Sequence, residues 1–239
     1  MDKTQTLQDI VDYYDLSLVN NPMGTDQAWP KSYVEKFYGT RLKKFANDEM
    51  KILDIGKYNQ TCLAMWCYYL ENAQIFGLDE QAEYAVKVTN DPYHAFNSDG
   101  IMKKNILIEQ ISVSTIHARD LNLIIDRRSL ETDRRLDTIR AYANQLQQRH
   151  AVVVMENVKD AGLNLMALIA ATPPDFTCHF HDFRTHRMVS DNCLYVMRRS
   201  DDKLNILRNR IMMLGQSALY FVIERTLWIG VKLSSCLRR

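Results

Sequence analysis

The stretch from Met50 to Asp79 constrains the fold more than any other part of this chain. Lys51-Ile52-Leu53-Asp54-Ile55 is a short apolar run that ends at Gly56. Leu63, Trp66, Cys67 and Leu70 follow at the spacing of one helical face. Ala73 to Leu78 is a second apolar run, closed by Asp79. Strand, loop, helix and strand make one βαβ unit of a parallel sheet. Ligands of such sheets bind beyond the carboxyl ends of the strands, where an acid after the second strand can hold a ribose hydroxyl pair. Gly56 lets the backbone pass close to that ligand.

A dinucleotide fingerprint needs two further glycines, and Lys57-Tyr58-Asn59-Gln60 supplies none. A pyrophosphate cradle is therefore not expected. A nucleoside without phosphates, such as S-adenosylmethionine, needs no cradle. A βαβ unit with a purely structural role fits the same pattern, and both readings stay open here.

Downstream runs continue the α/β alternation. Leu121 to Asp126 reads as a strand ending in an acid, and Leu130 to Gln148 as a charged helix with Leu136, Ile139, Tyr142, Ala143 and Leu146 on one face. Ala151 to Asn157 is a β-branched strand whose end carries Glu156. Four strands thus collect polar groups at one sheet edge: Asp54 beside Gly56, Asp79, Asp126, and Glu156 with Asn157. Phe176–Phe183 and Asp191–Arg199 read as a closing hairpin. His179 and His181 share one face of it, without a third metal ligand at a convincing position. Residues 4 to 19 read as an amphipathic helix, and Ser32 to Phe45 as a second. Residues 80 to 88 read as a short helix, and Tyr93 to Phe96 as a third strand, followed by the turn Asn97-Ser98-Asp99-Gly100.

These residues resemble the macrocin- and mycinamicin-type sugar O-methyltransferases, a branch of the class I S-adenosylmethionine-dependent methyltransferases. The likeness rests on Asp54-Ile55-Gly56, Met65-Trp66, Asn72-Ala73-Gln74-Ile75-Phe76-Gly77-Leu78-Asp79, Ile124-Ile125-Asp126 and Glu156. It covers roughly residues 24 to 199. It implies a Rossmann-like α/β fold, a mostly parallel seven-stranded sheet with a final antiparallel hairpin and helices on both faces. It also implies S-adenosylmethionine as cofactor and O-methylation of a small molecule or sugar. Gly24, Thr25 and Tyr33 match a segment that helps close the family's cofactor site. With Asp54, Gly56, Asp79 and Asp99, on the adenine side, they are the cofactor-binding candidates. Asp126 and Glu156 are the catalytic candidates.

The family's paired carboxylates hold a divalent metal, and a His beside them is the base. Here Arg127, Leu130 and Asn157 stand at three of those positions. A hard cation wants several oxygen ligands, and leucine cannot act as a base. Metal-dependent catalysis is therefore in question, and Arg127 is expected to pair with Asp126 or Glu156 in the metal's stead. The second reading is a catalytically degenerate member of the fold that serves as a binding or scaffold module.

Composition narrows the partners. A net charge of +1 gives no field for nucleic acid. Five cysteines without a C-x-x-C argue for reduced thiols. The polar stretch Met1 to Asp9 predicts no signal peptide. The expected location is cytoplasmic, with peripheral membrane contact as the alternative. Three regions are expected: a helical cap over 1–49, the methyltransferase-like domain over 50–199, and an apolar helical extension over 200–239. Within it an apolar run from Ile211 to Ile229 has Glu224 and Arg225 as its charges. Its cover is expected to be protein, from its own domain or a second copy, rather than lipid.

Overall fold

The computed structural model describes residues 6–13, 37–45, 48–56, 60–70, 72–79, 83–90, 95–96, 102–103, 106–127, 132–158, 161–183 and 193–236. It divides into two compact units, Met1–Ser129 and Leu130–Arg239. Gly24, Thr25, Tyr33, Asp99, Ser129 and Leu130 lie outside the described residues.

The first unit contains helices α1 (Leu7–Tyr13), α2 (Gly39–Leu42) and α3 (Gln60–Tyr69). Its strands are β1 (Lys51–Ile55), β2 (Gln74–Leu78), β3 (Ala85–Asn90), β4 (Ala95–Phe96), β5 (Met102–Lys103), β6 (Ile106–Ile111) and β7 (Leu123–Asp126). The sheet order in this unit is β6-β3-β2-β1-β7, with β4 and β5 pairing apart. Strand β1 is parallel to both β2 and β7. Ile52, Leu53 and Ile55 are all fully buried, as expected of a strand covered on both faces. Helix α3 buries Leu63, Trp66, Cys67 and Leu70, the predicted face, and also Met65 and Tyr69. Helix α1 packs against α3, with Leu7 and Ile10 buried. Thr6 and Asp9 cap the start of α1 reciprocally: Asp9 N donates to Thr6 Oγ1 and Thr6 N to Asp9 Oδ2.

Two expectations fail beside β2. The stretch read as a helix over 80–88 holds strand β3, antiparallel to β2 and to β6. Val86, Val88 and Thr89 are β-branched and favour a strand. The deciding partner, β6, comes some twenty residues later in the chain. The strand expected at Tyr93–Phe96 belongs instead to the small β4–β5 pair.

The second unit contains α4 (Thr132–Ala141), β8 (Val152–Met155), α5 (Ala161–Ala171), β9 (Phe176–Asp182), β10 (Cys193–Arg199) and α6 (Lys203–Cys236). Its strand order is β8-β10-β9, and β10 runs antiparallel to both neighbours. The β9–β10 hairpin is antiparallel, as expected, and β10 is in addition inserted between β8 and β9. Parallel β2-β1-β7 in the first unit and the inserted antiparallel β10 in the second are features of a Rossmann-like α/β fold. The two units hold eight sheet strands rather than seven, and antiparallel β3 and β6 make the pairing mixed rather than mostly parallel.

Helix α6 grips α5 at both ends. Glu224 Oε2 accepts from Gly162 N, 3.0 Å away, at the amino end of α5. Arg210 Nη2 donates to Thr172 O at 2.8 Å and to Pro173 O at the carboxyl end. Each charge complements the helix dipole it meets. Between them Ser217 Oγ donates to Gly162 O at 2.9 Å. A Cβ on Gly162 would lie 2.5 Å from Phe221 Cα, so glycine is what lets the two backbones touch. Asn209 Oδ1 accepts from Cys178 N on β9 at 2.7 Å.

Candidate functional site

The carboxyl ends of three strands are level in the first unit. Ile55 is opposite Leu78 on one side and Asp126 on the other. Gly56 N donates to Leu78 O at 3.0 Å, and Arg127 N to Ile55 O at 2.8 Å. Asp79, Gly56 and Arg127 therefore form a row across adjacent strand ends.

Asp79 leaves β2 half-buried. Its Oδ1 accepts from Glu83 N at 2.8 Å and Tyr84 N at 2.9 Å. Its own amide donates to Tyr84 O. The carboxylate thus closes the turn that leads into β3. Its Oδ2 has no hydrogen-bond partner among the described residues. Oδ1 is thus fixed by two backbone amides.

Asp54 is placed differently. It is buried, and Trp66 Nε1 donates to its Oδ2 at 3.0 Å. Arg127 Nε donates to its Oδ1 at 2.8 Å, and Arg127 Nη2 lies 2.8 Å from the same oxygen. Arg127 thus forms an ion pair with Asp54, a partner that the sequence reading did not name. Strand register explains it. Asp54 is opposite Ile125, and Arg127, two residues on, lies on the same face as Ile125 and diagonal to Asp54. Asp126 alternates to the other face. Around Asp54 the packing is aromatic: the Tyr38 ring meets Trp66 edge-on at 5.0 Å.

Gly56 has a protein reason for lacking a side chain. A Cβ there would lie 3.3 Å from Arg127 Cβ and 3.4 Å from Arg127 C. The arginine stem occupies the side of Gly56 that a side chain would take.

Asp126, the last residue of β7, is fully buried. In the second unit Glu156 follows β8 and is buried as well. Asn157 has φ 55°, in the left-handed region that asparagine tolerates better than most residues. Arg135, wholly buried on α4, donates from Nη2 to Glu156 O at 2.7 Å and to Asn157 O at 2.9 Å. Sequence reasoning missed Arg135. Its signal was its position, one turn before Ile139 on the buried face of α4.

His179 and His181 share a face of β9, ring centroids 6.5 Å apart, and His181 stacks on Phe183 at 6.0 Å. No group of three His, Cys, Asp or Glu side chains suited to a metal occurs among the described residues.

No protein-family model matches this chain. No curated protein matches it either. Among solved structures it is similar to the protein-(glutamine-N5) methyltransferase (release factor-specific) from Alicyclobacillus acidocaldarius subsp. acidocaldarius DSM 446. The identity is 10%, the TM-score 0.45, and the match covers 74% of this chain and 98% of that one.

Among the described residues this edge holds the Asp79 carboxylate with its Oδ1 bound to two amides, a buried carboxylate at Asp126, and a cation at Arg127 paired with Asp54. Such an edge can accept hydrogen bonds from sugar hydroxyls.

Proposed function

We propose that the chain binds S-adenosylmethionine at the carboxyl edge of β2, β1 and β7 and methylates a hydroxyl of a small molecule or sugar. The observation behind this reading is the level row of Asp79, Gly56 and Arg127 across adjacent parallel strands, where open α/β sheets take their ligands. The residues fit a nucleoside through Asp79, whose Oδ1 is pinned by two amides while Oδ2 faces a ribose hydroxyl. Asp54, with both oxygens engaged, shapes the floor of the site instead of touching the ligand.

Bound S-adenosylmethionine supplies an electrophilic methyl group. In this reading Asp126 is the carboxylate of the first unit that takes the proton of the acceptor hydroxyl; Glu156, in the second unit, is a catalytic candidate by the resemblance alone, without that role. Arg127 and Asn157 do not fit the family's divalent metal, and no step is drawn through one.

Calorimetric titration with S-adenosylmethionine tests the binding. A charge-assisted hydrogen bond contributes about 1.5–3 kcal/mol, so Asp79→Asn should weaken the affinity at least tenfold. The conservative amide keeps an acceptor for Glu83 N and Tyr84 N, which protects the turn. No binding by the parent chain, or equal binding by a folded Asp79→Asn, would reject the site.

The neutralised pair of Asp54 and Arg127 favours a second reading, a binding module without transfer. Tight binding without release of S-adenosylhomocysteine across a panel of hydroxylated acceptors would select it.

A further inference from the structure

Helix α6 buries one side and leaves the other bare. Ile206, Asn209, Met213 and Ser217 are buried, recurring every three or four residues toward α5 and β9. The opposite side carries Leu204, Leu207, Ile211, Leu214, Val222 and Ile229, each between 48% and 63% exposed. Trp228, toward the carboxyl end, is 52% exposed. The protein cover expected for this run is therefore supplied by its own unit on one side only. A bare apolar stripe of this length, roughly 38 Å from Leu204 to Ile229 at the helical rise, exceeds what a protein surface leaves uncovered without a partner.

Charge decides the partner. Lys203, Arg208 and Arg225 are exposed on the helix. Its one acid is Glu224, and that carboxylate is turned inward to Gly162 N. The two acids just before the helix are engaged at its start: Asp202 Oδ1 accepts from Asn205 N, and Asp201 pairs with Arg149 at 3.3 Å. The bare side of α6 is thus apolar and positive. A second copy of the chain would set Arg208 and Arg225 against another positive face, with no exposed acid on α6 to receive them. An anionic lipid surface receives both the stripe and the cations. No helix among the described residues is long and apolar enough to cross a membrane, so the mode is lying on the surface.

We propose that the exposed face of α6 docks on an anionic membrane surface, with the helix in the plane of the interface. The apolar stripe enters the headgroup boundary, Trp228 sits at its depth, and Arg208 and Arg225 reach the lipid phosphates. This is independent of the cofactor site in the first unit.

The full chain is floated with vesicles of phosphatidylcholine alone, or with roughly one-third phosphatidylserine. Flotation should be at least tenfold greater with the anionic vesicles and should fall sharply in about 0.5 M salt. Ile211→Asp combined with Val222→Asp alters only exposed positions; it should abolish flotation while leaving the thermal melt unchanged. Arg208→Glu with Arg225→Glu should remove the preference for anionic lipid. The proposal is overturned if the full chain stays at the bottom with anionic vesicles, or floats equally with both. It is overturned equally by a dimer in sedimentation velocity that Ile211→Asp dissociates, with no flotation, which would assign the face to a second copy.

Discussion

Arg127 and Asp54 meet in nearly dry surroundings, their side chains 7% and 1% exposed. Removing one partner of such a pair strands the other charge away from water, at a cost of about 3–5 kcal/mol. Arg127→Leu should therefore lower the unfolding free energy by about that much in urea titrations, and Arg127→Leu with Asp54→Leu should recover most of it. An Arg127→Leu chain as stable as the parent would show that the pair contributes nothing. A second buried group answers to pH. The Tyr195 hydroxyl lies 2.6 Å from Thr172 Oγ1, and burial pushes its pKa far above the ordinary 10.0. Burial also raises the Cys178 thiol above its ordinary 9.0. Both folded values lie above the unfolded ones, so the folded chain holds these protons longer. Their contribution is complete below pH 9 and is lost as pH rises past the ordinary values. The melting temperature should thus hold level to pH 9 and then fall. Tyr195→Phe should cost about 1 kcal/mol at neutral pH for the lost hydrogen bond, yet flatten the alkaline decline. An equally steep decline in Tyr195→Phe would place its cause elsewhere.

Among elements, the contact between α5 and α6 is the most sharply determined. Gly162 meets the Phe221 backbone with no room for a methyl group. Gly162→Val should part the helices, break the bonds of Ser217 and Glu224 to residue 162, and cost about 3 kcal/mol, the upper range for overpacking. Hydrogen exchange should report it as lost protection along α6. Leu163→Val, one residue on and 54% exposed, should change little, and equal effects from both would refute the contact. The elements also show where sequence reading stops. Strands β1, β2, β7 and β8 were legible because buried strands are plain apolar runs. Strand β3 was taken for a helix, because Ala85 to Asn90 becomes a strand only through β2 and β6. Strand β6 and helix α5 were not anticipated. Helix α5 is apolar through most of Ala161–Ala171, and a helix covered on more than one side has a weak period.

At the scale of the whole molecule, the fold class was readable from Met50 to Asp79 and from the closing hairpin, while the chemistry of the edge was readable only in part. Asp79, Gly56 and Asp126 are at strand ends as their acid-after-apolar pattern implied. The bond between Asp54 and Arg127 depends on strand register, which no local motif carries. The hold of Asn209 on Cys178 N is of the same kind, and it reaches further than a single hydrogen bond. Strand β9 is the last in its order, so among the described residues its outer amides face no neighbouring strand, and α6 occupies one of them. An open edge invites another strand. A chain cut between Ser200 and Lys203 should therefore gather into thioflavin-positive, β-rich assemblies as concentration rises, whereas the full chain should not. A cut chain that stays monomeric and thioflavin-negative would deny α6 this role. If the assemblies form, one proteolytic nick before Lys203 turns the molecule into a template for its own polymerisation.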